Sequence, residues 1–169
     1  MAPSYGLEDV KPLLARYLEL LKGEFGHRLV SMAVFGSVAR GEARPESDVD
    51  LLIVVEGLPE DVGSRLEAVS EVRWRLRLSR EYREARERGL PRHTSEILLT
   101  PEELARHPPI LLDMAEDAVI LYDRGGTLAR ELDALRRRLE ELGAKRVRGR
   151  GGWYWVLKPD AEFGEVIEL

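Results

Sequence analysis

The sequence predicts an α/β (α+β) fold, a short mixed β-sheet flanked by helices, with a C-terminal helix and β-hairpin extension. Three observations carry that expectation. Short apolar runs of β character alternate with segments of helical period. One of these runs, Val49–Val55, is apolar at nearly every position after Asp50, as in a strand buried on both faces. The chain has 169 residues, 44% apolar and 34% charged, enough for one core.

Taken in order, Asp9 to Phe25 reads as a helix, with Val10, Leu14, Tyr17 or Leu18, and Leu21 at helical spacing. Pro12 is tolerable there if Asp9 is the N-cap, because first-turn amides lack intrahelical partners. Gly26 closes it. Arg28 to Phe35 is a first strand running into Gly36-Ser37, and Val49 to Val55 is a second. A long helix then opens near Pro59. Its stripe is Val62, Leu66, Val69, Val72 or Arg73, and Leu76, and it is expected to continue to Gly89. His93 to Thr100 is a third strand. Thr100-Pro101-Glu102-Glu103 has the residues of a capping box with proline at the first helical position.

Pro109 to Ala115 reads as a short helix and Ala118 to Tyr122 as a short strand. Thr127 caps a helix whose Leu128, Leu132, Leu135, Leu139 and Leu142 repeat at spacings of four and three. Core packing is the plainer reading of that stripe, and a homo-oligomer or partner seam is the alternative. Arg146–Arg150 and Trp153–Lys158 form a hairpin across Gly151-Gly152. Residues 1–123 are expected to form the domain that carries the chemistry, and 124–169 an extension packed on it.

Composition narrows the function classes. There is no cysteine, so disulfides, thiolate metal sites and cysteine nucleophiles are excluded. No apolar run is long enough to span a membrane, and nothing at the N-terminus has signal-peptide character, so a cytoplasmic protein is expected. The net charge of −5 argues against a general nucleic-acid coat. His27, His93 and His107 have no spacing that builds a zinc site. No Gly-x-Ser-x-Gly or Gly-x4-Gly-Lys-Ser/Thr motif occurs.

The informative stretch is Gly36-Ser37-x10-Asp48-x-Asp50. A strand that runs into Gly-Ser lets the backbone approach a ligand closely, with amides and the Ser37 hydroxyl free to donate to a phosphate. Asp48 and Asp50 lie two residues apart at the mouth of the next strand, a spacing that shares one face. Two carboxylates so placed repel unless a cation lies between them. Oxygen-only ligands suit Mg²⁺ or Mn²⁺, held together with substrate phosphates. Each piece alone is an ordinary turn or solvated loop; jointly they fit metal-assisted phosphoryl or nucleotidyl transfer. Arg40, one turn after Ser37, is a candidate for binding the same phosphates, with pairing to Glu42 or Glu46 as the plainer reading.

The string GSVARGEARPESDVDLLIV resembles the signature of the DNA polymerase beta-like nucleotidyltransferases, in particular their minimal prokaryotic and archaeal members. The resemblance implies two divalent ions (Mg²⁺ or Mn²⁺) at Asp48 and Asp50, and a nucleoside triphosphate, ATP, held by Gly36 and Ser37. It implies transfer of the nucleoside monophosphate to an acceptor hydroxyl with release of pyrophosphate. It also implies a third acidic residue on a later strand, for which Glu96 is the candidate, as general base or as a metal ligand. Family members of this size are often partners of HEPN toxins, which they silence by adding AMP to a tyrosine. The alternatives are an RNA or small-molecule acceptor, and a non-catalytic module that masks its partner by binding.

Between Arg73 and Arg92 eight arginines face three glutamates, a local excess of five positive charges. A solvated helix laced by pairs such as Arg80–Glu84 is the plainer reading, and a docking surface for an acidic or RNA partner the sharper one. The hairpin interleaves Arg146, Arg148 and Lys158 with Trp153, Tyr154 and Trp155, a pattern suited either to stacking on nucleic-acid bases or to covering the core.

Overall fold

A computed structural model describes residues 3–150 and 152–169. The elements are α1 (Leu7–Phe25), β1 (Leu29–Phe35), α2 (Gly36–Ala39), β2 (Val49–Val55), α3 (Val62–Leu78), α4 (Arg80–Glu87), β3 (Thr94–Leu99), α5 (Pro101–Leu104), α6 (Leu111–Asp117), β4 (Val119–Asp123), α7 (Thr127–Leu142), β5 (Lys145–Gly149) and β6 (Gly152–Val156). The first four strands form one mixed sheet in the order β3-β2-β1-β4. β1 runs antiparallel to β2 and β4, while β2 and β3 are parallel. β5 and β6 pair separately as the expected hairpin. Gly151, placed in its turn by the sequence, lies outside the described residues.

Both faces of the sheet are covered. Leu51, Ile53 and Val55 of β2 pack with Leu14, Tyr17 and Leu21 of α1 and Val69, Val72 and Leu76 of α3. Leu52 and Val54 pack on the opposite face with Leu104, Leu111, Met114 and the leucines of α7. This is why β2 reads as a continuous apolar run. Leu128, Leu132, Leu135 and Leu139 are all buried in this second cluster, so the leucine stripe is core.

The ends of the elements are fixed by local chemistry. α1 starts two residues earlier than its spacing suggests. Gly6 is its N-cap, and Asp9 accepts a hydrogen bond from the Gly6 amide instead of capping the helix itself. Pro12 therefore lies inside the helix. The helix expected to run to Gly89 breaks at Ser79, whose hydroxyl oxygen accepts from the Tyr82 amide and starts α4. The stripe on α3 is also narrower than expected: Val69, Val72 and Leu76 are buried with Arg65, whereas Val62 and Leu66 are exposed. Arg65 reaches Glu103 at 2.7 Å and the Leu98 carbonyl at 3.1 Å, tying α3 to α5 and β3. Thr100 and Glu103 form the expected capping box. At α7 the cap comes from Asp123, which accepts from the Leu128 and Ala129 amides at 2.9 Å each. Among the described residues no helix is long and apolar enough to cross a membrane.

Candidate active site

The site is built where β1 gives way to α2. Gly36 has φ +71°, the left-handed region that glycine adopts without strain. Its cross-sheet neighbour is decisive. Phe35 pairs with Asp50, and a Cβ added to Gly36 would lie 2.5 Å from Asp50 Oδ2. Glycine is therefore required twice at this position, by the backbone and by the carboxylate lying against it. Ser37 is the next residue of the turn and stays partly exposed.

The intervening loop folds back on itself. The Glu42 amide donates to the Ser37 carbonyl at 2.8 Å. Ala43 forms a two-way backbone bridge with Tyr5, at 2.8 and 3.1 Å. The chain segment before α1 thus pins the loop that separates Ser37 from the carboxylates.

Asp50 lies on the face of β2 that carries Leu52 and Val54, and Val49, Leu51 and Ile53 point the other way. Asp48 is exposed just before the strand, and Asp50 is half-buried. The Asp50 carboxyl is held above the usual carboxylate range, first by burial and then by the negative charge of Asp48, against the opposing pull of Arg40. The two carboxylates therefore feel one another, and no hydrogen bond relieves Asp50. This is the condition in which a divalent cation gains most from binding. The donor set, two hard oxygen ligands beside the Gly36 turn, one exposed and one half-buried, fits Mg²⁺ or Mn²⁺. Among the described residues no group of three acidic, histidine or cysteine side chains gathers into a metal cage.

Glu96, the candidate third acidic residue, is placed apart from them. In the parallel β2–β3 register Glu96 lies beside Leu51, and Asp50 lies beside Ser95. Neighbours across a ladder share a face, so Glu96 points to the α1–α3 side, behind the sheet. There its side chain is 2% exposed. It accepts hydrogen bonds from the Tyr17 hydroxyl at 2.7 Å and the Thr94 hydroxyl at 2.5 Å, and Arg73 Nε is 3.5 Å away. Burial, then Glu96, push the Tyr17 hydroxyl far above its ordinary range, so it stays a donor. Ser95, with no carboxylate, faces the Asp50 side.

Arg40 is close enough to Asp50 to oppose its protonation, but its guanidinium is held by Glu42 at 2.9 Å and Asp117 at 3.2 Å. Asp117 also takes Arg146 of the hairpin at 2.9 Å, and the Arg146 guanidinium stacks over Trp153 at 4.9 Å. Asp117 is the residue that sequence reasoning missed. It comes from the end of α6, and no local pattern announces it. The His93 carbonyl accepts from the Val49 amide at 2.7 Å, fixing the strand start between Asp48 and Asp50.

The nucleotidyltransferase domain family model matches residues 14–121. The chain is 32% identical over 114 residues to a Methanocaldococcus jannaschii protein named "Putative protein adenylyltransferase MJ1305", an alignment spanning 66% of this chain and 71% of that one. It is 42% identical over 53 residues to the protein adenylyltransferase MntA of Thermococcus cleftensis, covering 31% of this chain and 52% of the relative. Among solved structures, a chain from the tri-AMPylated Shewanella oneidensis HEPN toxin in complex with MNT antitoxin aligns with a TM-score of 0.44 at 11% identity, over 79% of this chain and 92% of that one. With a matching family model across most of its length, this chain belongs to the nucleotidyltransferase domain family and is a nucleotidyl-transferring enzyme.

Proposed function

We propose that the chain transfers AMP from ATP to a hydroxyl of a protein acceptor, with a tyrosine of a HEPN-type toxin as the acceptor that the sequence resemblance points to. The observation that carries this reading is the contact of Gly36 with the Asp50 carboxylate, beside Asp48. It sets the Gly36 turn against the paired carboxylates. The names of the two adenylyltransferase relatives support the choice of AMP and of a protein acceptor.

In this reading Ser37 and the backbone of the Gly36 turn bind the triphosphate, and Asp48 and Asp50 hold Mg²⁺ or Mn²⁺. When bound, the ions would neutralise the phosphates and align the α-phosphate. The acceptor oxygen forms a bond to the α-phosphorus, the bond to the β-phosphate oxygen breaks, and pyrophosphate departs. Glu96 cannot take the acceptor proton from behind the sheet. Solvent receives it. Arg40 contributes positive charge from its anchored position. Residues 124–169 act as an accessory extension, bound to the catalytic unit through Asp117–Arg146 and the α7 leucines.

A second reading, masking of the partner by binding alone, is favoured by one observation: among the described residues no group of three acidic, histidine or cysteine side chains gathers into a metal site. Incubation with α-labelled ATP, Mg²⁺ and a co-encoded toxin separates the two. The proposal expects label on the toxin with the wild type and none with Asp48→Asn or Asp50→Asn. Equal neutralisation by the Asp48→Asn/Asp50→Asn double variant, without label transfer by the wild type, establishes masking instead.

A further inference from the structure

Where α3 and α4 meet the start of β3 the chain forms a basic cleft that nucleotide transfer does not use. It encloses about 40 Å³ and is lined by Arg73 and Arg77 of α3, Tyr82 of α4, and Arg92, His93 and Thr94 at the β3 end. No carboxylate is among its lining residues. Thr94 precedes Glu96 by two residues on β3 and shares its face, so the cleft lies on the α1–α3 side of the sheet. Asp50 lies on the other face.

Two arginines of this region outside the cleft are answered by acids: Arg75 pairs with Glu71 and Arg80 with Glu84. Those of the cleft are left with capacity to spare. Arg73 faces Glu96 at 3.5 Å, yet its buried Nε makes no hydrogen bond. Among the described residues neither Arg77 nor Arg92 has an acid within ion-pair reach. Arg92 donates to the Leu90 carbonyl at 3.4 Å, and its Nε is buried without a partner. Buried donors left unmade are uncommon and costly, and an acceptor in the cleft would relieve them.

The lining decides the class of ligand. Three guanidinium groups with no carboxylate among them repel cations and attract an anion. One water needs about 10–15 Å³ of such space, so the cleft holds about three water-sized groups. That admits the oxygens of one phosphate group and excludes a nucleobase. The Tyr82 hydroxyl and His93 Nδ1, 3.4 Å apart, add polar groups to the arginines. A planar carboxylate is met by a single arginine fork, whereas donors arriving from α3, α4 and the β3 end suit a tetrahedral oxyanion. We propose that this cleft binds a single phosphate group, either the free ion or a terminal phosphate monoester, with Arg77 and Arg92 as its principal ligands. The site goes beyond AMP transfer and does not depend on it.

Calorimetric titration with inorganic phosphate and with AMP, at constant ionic strength and without divalent ions, tests the inference. The wild type is expected to bind one phosphate per chain and to melt at a higher temperature in its presence. Arg77→Gln and Arg92→Gln should each weaken binding about tenfold or more. Arg77 is exposed, so its replacement leaves the fold intact. Arg83→Gln, which removes an exposed arginine outside the cleft, should leave binding unchanged. The Asp48→Asn/Asp50→Asn double variant should bind phosphate as the wild type does, which separates this site from the transfer site whether or not AMP transfer occurs. Phosphate bound more tightly than AMP identifies the free ion as the ligand; AMP bound as tightly, and through Arg77, identifies a monoester. A wild type that binds neither overturns the proposal. So does binding indifferent to both arginine substitutions, or binding lost with the two aspartates. An oligoribonucleotide without terminal phosphates that binds more tightly through the same arginines also overturns it, in favour of a nucleic-acid surface.

Discussion

Gly36 lies directly against the carboxylate of Asp50: a methyl group on its α-carbon would meet Oδ2 at 2.5 Å. One contact thus sets the distance between the turn proposed to hold phosphate and the carboxylates proposed to hold metal. Gly36→Ala should cost about 2 kcal/mol of stability through its positive φ and the clash. It should also lower turnover at least tenfold by displacing Asp50. Chemical denaturation and label transfer measure the two effects separately.

Glu96 and Asp50 stand on opposite faces of the sheet, so their variants should behave differently. Glu96→Gln keeps an oxygen for the Tyr17 and Thr94 hydroxyls, and its turnover should stay within a few-fold of wild type. Glu96→Ala strands Tyr17, Thr94 and Arg73 and should cost about 3 kcal/mol of stability. Asp50→Asn should leave the fold intact and abolish transfer. Thermal melts beside activity assays check all three.

The raised proton affinity of Asp50 fixes the sign of a pH effect. A carboxyl whose folded pKa lies above its unfolded value favours the folded state most at low pH, and that contribution is lost as pH rises through the folded pKa. Without metal, Asp50→Asn should therefore melt at a higher temperature than wild type at neutral pH, the gap closing as pH falls toward the carboxylate range. Added Mg²⁺ should raise the wild-type melting temperature and leave the variant unmoved.

Asp117 joins Arg40 to Arg146, whose side chain is 9% exposed. Asp117→Ala removes the shared anion and should cost about 2 kcal/mol. The loss should appear first as faster proteolysis within 145–156, because Arg146 is the hairpin's ionic tie to α6. Limited proteolysis with mass spectrometry reads this directly.

Most of the fold was legible because its signals are local. The β2 run, the Thr100 capping box and the α7 leucines each state their environment within a few residues. The spacing of Gly36, Ser37, Asp48 and Asp50 was legible for the same reason. What was not legible depends on pairing across the sheet. In TSEILL the apolar residues Ile97, Leu98 and Leu99 run consecutively, so alternation does not say which way Glu96 points; the register with β2 decides it. The break at Ser79 was hidden because Leu76, Leu78 and Tyr82 continue a helical pattern across it. Val62 and Leu66 joined the expected stripe because they are apolar, yet α3 turns them toward solvent.

Binding of Mn²⁺ with a non-hydrolysable ATP analogue, followed calorimetrically in the wild type, Asp48→Asn, Asp50→Asn and Glu96→Gln, tests the site most directly. The account predicts a ternary complex in the wild type and in Glu96→Gln, and its loss in both aspartate variants. Metal–nucleotide binding that survives both Asp48→Asn and Asp50→Asn would contradict it.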